Sequence, residues 1–179
     1  MSGVRKGLAK VEIALKWDPS PAGAPVHDLD ILAGVYAAAD PYGEPVHLVH
    51  FGSRSPDGTI TLNRDSRTGQ GLGFDEVMTL ELDRIAPELT RVVVGVMIQQ
   101  QAGEGPTLTF GDVARTGLRI REGYTDLAVD DFAGVATASA VTIAEFTRDA
   151  SGVWSLDPEV RGFDSGPEEF ARAMGAARG

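Results

Sequence analysis

A chain of 179 residues, 42% hydrophobic and 23% charged, has the size and composition of one globular domain. Cysteine is absent, which excludes disulfide frameworks, thiolate metal sites and thiol nucleophiles. The 26 Asp and Glu residues outnumber the 16 Lys and Arg residues, and the resulting net charge of −10 repels nucleic-acid phosphates and attracts cations. We therefore expect a single domain over residues 1–179 that does not bind nucleic acid.

The amino-terminal residues lack the apolar segment of a secretory signal. No stretch approaches the roughly 20 apolar residues that a membrane helix needs. The longest apolar run, residues 92–98, has the length of a strand. The sequence thus predicts a cytoplasmic protein that is not itself inserted in a membrane.

Taken in chain order, the predicted elements are mostly short strands. Apolar residues alternate with polar or small ones at residues 11–17, which is the period of a half-buried strand. Similar patterns predict strands at residues 28–36, 46–51, 59–62, 77–82, 91–98, 117–121, 140–147 and 153–156. Residues 91–98 are apolar on both faces, so we expect this strand in the middle of a sheet.

Turn residues separate these strands. Asp57-Gly58 is a strong signal for a tight hairpin turn, and residues 149–152 predict a hairpin between the last two strands. Residues 83–89 are expected to form one helical turn capped by Asp83.

The end of the chain predicts a helix at residues 167–174. Ser165 or Asp164 is the expected cap, Pro and two acids fill the first turn, and Gly175 ends the helix. The predicted fold class is mainly β: a β-sandwich of two antiparallel or mixed sheets with a short C-terminal helix.

Asp28 and Asp30 flank Leu29 at the entry to the second predicted strand. Alternation places both carboxylates on the same face, where a bound cation would relieve their mutual repulsion. The ordinary alternative for two acids at this spacing is a solvated pair, one of which caps a loop.

A second acidic cluster spans residues 65–76 and combines Asp65, Asp75 and Glu76 with alternating glycines, among them Gly69 and Gly71. Glycine reaches positive φ without strain, so this loop can curl and turn its carbonyls inward. Calcium takes about six to eight oxygens from carboxylates, carbonyls and water. Since this segment supplies both carboxylates and carbonyls, the two clusters together predict a calcium site.

Two other interpretations of this loop fail on specific residues. Asp65 and Glu76 are spaced like the first and last ligands of an EF-hand. However, Arg67 cannot be a ligand at the third position, and Gln70 replaces the glycine required at the sixth. A phosphate-binding loop is disfavoured because Phe74 interrupts the glycine pattern and acids follow it.

Signals for catalysis or zinc binding are weak. His47 and His50 lie three apart in a predicted strand, hence on opposite faces, so they cannot easily share one zinc ion. No serine lies in a Gly-x-Ser-x-Gly motif. Trp17 and Trp154 fall in patterned strands and are expected in the core. We predict no catalytic residues, and a metal-assisted hydrolase that uses the carboxylates is kept as an alternative.

These residues resemble the TerD domain family, the tellurium-resistance and general stress proteins of bacteria. The resemblance covers nearly the whole chain, and its specific features are the Asp28-Leu29-Asp30 triplet followed by the glycine loop at residues 65–76. Other matching segments are Lys6-Gly7-Leu8, Trp17-Asp18, His50-Phe51, Ser55-Pro56-Asp57-Gly58, Phe110-Gly111-Asp112-Val113 and Gly162-Phe163 with the helix that follows.

The resemblance implies a β-sandwich that binds one or two calcium ions and has no established catalytic activity. The ligands that it implies are Asp28, Leu29, Asp30, Asp65, Gly69, Gly71, Asp75 and Glu76. It also implies a role in resistance to chemical stress, with partners among other stress-response proteins, including a membrane-associated complex. Acids that the family often carries are replaced here by Val26, Gln70, Leu72 and Phe74. Fewer carboxylates weaken the attraction for calcium.

A second hypothesis keeps the fold and removes the metal. In this case the acidic loops are structural, and partner proteins dock on exposed strand edges or on the C-terminal helix.

Overall fold

The computed structural model describes residues 7–64, 69, 73–100 and 105–177. The strands in this part of the chain are β1 (Lys10–Lys16), β2 (Leu29–Ala37), β3 (His47–Val49), β4 (Ile60–Arg64), β5 (Glu76–Glu81), β6 (Leu89–Ile98), β7 (Gly117–Glu122), β8 (Thr125–Asp130), β9 (Ala140–Arg148), β10 (Trp154–Asp157) and β11 (Arg161–Phe163). The helices are α1 (Pro167–Ala173) and short 3-10 helices at Leu82–Arg84, Phe110–Asp112 and Ala133–Val135.

The strands form two antiparallel sheets. A five-stranded sheet has the order β4-β5-β1-β7-β8, and a six-stranded sheet has the order β10-β9-β6-β2-β3, with β11 also paired to β9. The predicted mainly β fold with a short C-terminal helix is therefore confirmed.

The main hydrophobic core lies between the two sheets. Val11, Ile13 and Leu15 of β1 point into it, as the alternation in the sequence predicts, and all are fully buried. From the six-stranded sheet, Ile31 and Val94 contribute to the same core. Burial of this apolar surface supplies the main driving force for folding.

The middle of the outer face of the six-stranded sheet is also buried, because α1 packs on it. Leu32 and Tyr36 of β2 and Met97 of β6 contact Phe170 and Met174 in a second hydrophobic cluster. Burial on both faces explains why residues 91–98 are apolar on both sides. The predicted central position of this segment is confirmed, since β6 lies between β9 and β2.

Several local predictions need correction. The Asp57-Gly58 turn exists, with Gly58 at φ +73°, but it does not make a hairpin because β3 and β4 lie in different sheets. The cap of α1 is Gly166, without a side-chain cap bond, and not Ser165 or Asp164.

Other boundaries differ from the prediction. Of the predicted turn at residues 83–89, only Asp83 and Arg84 are helical. They belong to the 3-10 helix Leu82–Arg84, which has no side-chain cap. The sequence did not predict β8 or β11. The predicted hairpin through residues 149–152 is confirmed, since it joins the paired strands β9 and β10.

In the described part of the chain, none of the helices combines the length and the apolar character that crossing a membrane requires.

Candidate cation site

The predicted site residues of the described chain lie near one end of the sandwich, where β1 ends and β2 and β5 begin. Leu15 of β1 is paired with Glu76, the first residue of β5. The backbone N–H of Asp75 donates to the carbonyl of Leu15 at 2.9 Å. The end of the glycine loop is thereby fixed against the end of β1.

Asp75 is buried, with 2% of its surface exposed. Its Oδ2 atom accepts the backbone N–H of Trp17 at 2.8 Å. A hydrogen bond from a backbone N–H stabilises the ionised form of a buried carboxylate. This bond joins two segments that are 58 residues apart in the sequence.

Glu76 is fully buried and connects the two sheets. Its Oε1 atom accepts the backbone N–H of Ile31 in β2 at 2.7 Å. Strand β3 pairs only with residues 33–35 of β2, so it ends before Ile31. The carboxylate of Glu76 therefore occupies the place of a ladder partner that the short β3 does not provide.

The Asp28-Leu29-Asp30 triplet lies beside this contact. Asp30 is buried, with 1% exposure, and Asp28 is half-buried just before β2. The side chain of Leu29 points into the core between the sheets. Alternation then places Asp30 on the opposite side of β2, the side of Leu32, as it does for Asp28.

The backbone N–H and C=O groups of β2 point alternately towards its two neighbouring strands. The N–H of Gln99 donates to the carbonyl of Asp28, and the N–H of Val46 donates to the carbonyl of Val35. Even-numbered residues of β2 thus bond towards β6 and odd-numbered residues towards the β3 edge. The carbonyl of Leu29 and the N–H of Ile31 therefore face the same edge, where Glu76 lies.

Both glycines of the glycine loop that the structure describes have positive φ. Gly69 has φ +74° and is buried, and Gly73 has φ +82°. Asp65 and Gly71 lie outside the described residues. A cleft of about 380 Å³, with Gly69, Gly73 and Asp75 in its wall, leads from solvent to this loop.

Trp17 links these segments, a role that the sequence did not indicate. The prediction that Trp17 is buried is confirmed, with 2% exposure. Its indole Nε1–H donates to the carbonyl of His27 at 2.8 Å, next to Asp28. The only signal in the sequence was its position, directly after β1 and before a proline-rich loop.

The donor set agrees in kind with a hard divalent cation. Carboxylates and backbone carbonyls are the ligands that calcium prefers, and buried carboxylates need compensation by hydrogen bonds or by a cation. Within the described residues, no group of three or more His, Cys, Asp and Glu side chains is arranged to ligate a metal. A complete site would therefore also need ligands from the glycine loop, to which Asp65 belongs.

Two of the three histidines lie in β3 or directly after it. His47 is in β3, and His50 follows it, where its Nδ1 atom accepts the N–H of Gly52 at 3.1 Å. Burial lowers the pKa of His50 below its ordinary value. This environment favours a neutral, structural imidazole.

Comparison with known proteins identifies the family of this chain. The family model for the TerD domain matches residues 1–173. The chain belongs to the TerD family. It is 25% identical over 170 residues to the tellurium resistance protein TerD of an Alcaligenes species, covering 93% of this chain and 87% of the relative.

Two further relatives extend the comparison. Protein YceE of Bacillus subtilis is 27% identical over 174 residues, covering 94% of this chain and 89% of YceE. The crystal structure of SCO6318 from Streptomyces coelicolor, described as a homologue of telluride resistance protein TerD, superposes with a TM-score of 0.91 at 55% identity. That alignment covers 96% of this chain and all of SCO6318.

Proposed function

We propose that this TerD-family protein binds calcium at the end of the sandwich where the Asp28-Leu29-Asp30 triplet meets the glycine loop. The observation that carries the proposal is the bond from Ile31 to Glu76, which brings the two acidic segments together in the protein interior. Asp30, Asp75 and Glu76 are all at most 2% exposed. Carboxylates that merely solubilise a protein remain in water instead.

The proposed ligands are drawn from the side chains of Asp28, Asp30, Asp65, Asp75 and Glu76. No three of the described carboxylates form a ligating group, so the proposal requires Asp65 to complete the site. Backbone carbonyls of Leu29, Gly69 and Gly71 would add further oxygens. Asp75 and Glu76 each accept a backbone N–H, and a carboxylate has two oxygens with about four acceptor positions. The same side chain can therefore accept its backbone bond and also contribute to a cation site.

The proposed role of the calcium-bound protein is that of a non-catalytic binding module in resistance to chemical stress. Its relatives in Alcaligenes and Serratia marcescens are named tellurium resistance proteins, which supports this assignment. The partners proposed are other stress-response proteins, including a membrane-associated complex, and the place of action proposed is the cytoplasm. Because the chain has no cysteine, thiol chemistry on tellurite does not enter the proposal.

A metal-independent interaction domain is the second candidate, and one observation favours it. Strand β8 lies at the edge of the five-stranded sheet, and Val129 on it is 70% exposed. Tyr124, beside the same strand, is 97% exposed. Exposed strand edges and aromatic side chains are common docking features.

Calorimetric titration with calcium and with magnesium separates the two candidates. The calcium module predicts a saturable heat with calcium that disappears in the Asp75→Asn variant. A purified partner complex recovered equally with calcium and with chelator, together with no calcium heat, would favour the metal-independent domain. Turnover of ester, phosphate or glycoside substrates that is lost in Asp75→Asn would instead favour the hydrolase.

A further inference from the structure

Trp17 contacts each of the segments that carry the proposed ligands. Its backbone N–H donates to Asp75 Oδ2 at 2.8 Å, and its indole N–H donates to the carbonyl of His27 at 2.8 Å. His27 directly precedes Asp28. One residue at the end of β1 is therefore hydrogen-bonded both to a proposed ligand and to the backbone beside another.

The third contact is with the glycine loop and depends on the absence of a side chain. A Cβ atom at Gly69 would lie 2.6 Å from Trp17 Nε1 and 2.8 Å from the Trp17 carbonyl oxygen. Real Cβ atoms essentially never come so close to such atoms, so only glycine allows the loop to lie against the indole here. The positive φ of Gly69, +74°, adds a second reason for glycine.

From these contacts we infer that Trp17 is the positioning residue of the cation site: it sets the distance between the Asp28 segment and the glycine loop. The inference rests on the proposed calcium binding. A cation bound by Asp75 would change the surroundings of Trp17, and a Trp17 held by its bonds to Asp75 and His27 would in turn favour cation binding. Trp17 is thus both a support for the ligands and a reporter of their occupation.

The chain supplies its own control for this inference. Trp154 is also buried, with 3% exposure, and lies in β10. Its indole N–H has no hydrogen-bond partner among the residues that the structure describes. Trp154→Phe and Trp17→Phe are therefore matched changes, and only Trp17→Phe removes a hydrogen bond beside the site. Since the chain has two tryptophans, each variant also leaves one fluorophore.

The first test is the emission of the remaining tryptophan during a calcium titration. The Trp154→Phe protein, in which Trp17 remains, is expected to change its emission with the same dissociation constant that calorimetry gives. The Trp17→Phe protein, in which Trp154 remains, is expected to show no calcium-dependent change. The measurement on the Trp154→Phe protein remains possible even if the Trp17→Phe protein does not fold.

The second test compares calcium affinities. Loss of one hydrogen bond that supports the bound geometry should weaken calcium binding about 3- to 10-fold in Trp17→Phe, with no change in Trp154→Phe. Gly69→Ala, which forces the loop away from the indole, should weaken binding at least as much. A merely structural Trp17 would lower the melting temperature without calcium and leave the dissociation constant unchanged.

Each outcome decides between the two claims. If the wild type gives no calcium heat, the proposed function and this inference both fail. Two results with a calcium-binding wild type would overturn only the positioning role. One is equal calcium affinities of Trp17→Phe and Trp154→Phe, and the other is a Trp17 emission that does not change with calcium. If Trp17→Phe does not fold, Gly69→Ala in the Trp154→Phe background supplies both readouts, and unchanged affinity there would overturn the role.

Discussion

The carboxylate of Glu76 accepts the backbone N–H of Ile31 at 2.7 Å, and this single bond joins the start of β5 in one sheet to the start of β2 in the other. Both residues are fully buried. Because β3 does not extend to Ile31, the amide would otherwise lose its hydrogen-bond partner on that edge. The bond therefore has a structural value that is separate from any cation.

Replacement of Glu76 can separate its two roles. In Glu76→Gln the amide oxygen can still accept from Ile31, so we expect a stability close to that of the calcium-free wild type and a loss of calcium binding. Glu76→Ala removes the acceptor and should cost about 1–3 kcal/mol for the buried N–H alone. Urea unfolding in chelator measures the difference. Equal stabilities of the two variants would contradict a structural role for the bond.

Among the positively charged side chains that the structure describes, we expect Arg91 to contribute most to stability. Arg91 is 7% exposed, and its guanidinium donates to Glu145 and to the carbonyls of Pro41 and Gly175. Through these bonds Arg91 connects the loop between β2 and β3 with the residues that follow α1. Arg91→Ala leaves Glu145 without this partner and should cost about 3–5 kcal/mol.

The matched control for Arg91 is Arg84, whose ion pair with Glu81 is at the surface, with 57% of the Arg84 side chain exposed. Arg84→Ala should change stability by about 0–1 kcal/mol. Chemical denaturation of both variants provides the comparison. Similar losses in the two proteins would show that the Arg91 contacts do not stabilise the fold.

Gly95 allows α1 to approach the six-stranded sheet. A Cβ atom there would lie 2.7 Å from Phe170 Cζ and 3.0 Å from the carbonyl oxygen of Val141. Gly95→Ala should therefore displace Phe170 and destabilise the protein by about 1–3 kcal/mol. At Gly134, where a Cβ would meet no atom within 4 Å, the same substitution should be nearly neutral. A neutral Gly95→Ala in a melting experiment would refute close packing of α1.

The burial of the Tyr36 hydroxyl predicts a loss of stability at alkaline pH. Burial raises the pKa of Tyr36 from 10.0 to about 12; the Arg91 guanidinium beside the ring lowers it, and Glu145 raises it. Since the folded protein keeps this proton longer than the unfolded chain, the stabilisation is complete below pH 10 and is lost as the pH rises to about 12. The slope approaches about 1.4 kcal/mol per pH unit.

Tyr36→Phe tests this directly. The Tyr36 hydroxyl has no hydrogen-bond partner among the described residues, so its removal should cost little at neutral pH. The difference in unfolding free energy between wild type and Tyr36→Phe should grow in favour of the variant above pH 10. A difference that stays constant with pH would mean that Tyr36 titrates normally.

Local patterns in the sequence predicted the elements whose burial alternates or is complete. The segment around Val11 and the two-sided apolar segment around Val94 are examples, and both were located to within about two residues. Strand β8 was not predicted because its residues are exposed or half-buried without regular alternation. Its pairing with β7 defines it. Strand β11 has three residues and exists through its register with β9.

The candidate residues of the site can be chosen from the sequence, but their connections cannot. Two acidic clusters can be read from the order of the residues. The bond from Ile31 to Glu76, however, spans 45 residues, and the bond from Trp17 to Asp75 spans 58 residues. Such contacts are set by how the sheets pack, so a local pattern does not contain them. The contacts of Arg91, which reach 84 residues along the chain to Gly175, were missed for the same reason.

Calcium-dependent thermal stability, measured for the wild type and for a variant that combines Asp28→Asn with Asp75→Asn, is the most direct test of the proposed binding. The asparagine at position 75 can still accept the N–H of Trp17, so the variant should fold without calcium. At a calcium concentration of about 100 times the dissociation constant, the wild type should gain roughly 2.7 kcal/mol and the variant nothing. A wild type whose melting temperature does not change at millimolar calcium would contradict the proposal that the protein binds calcium.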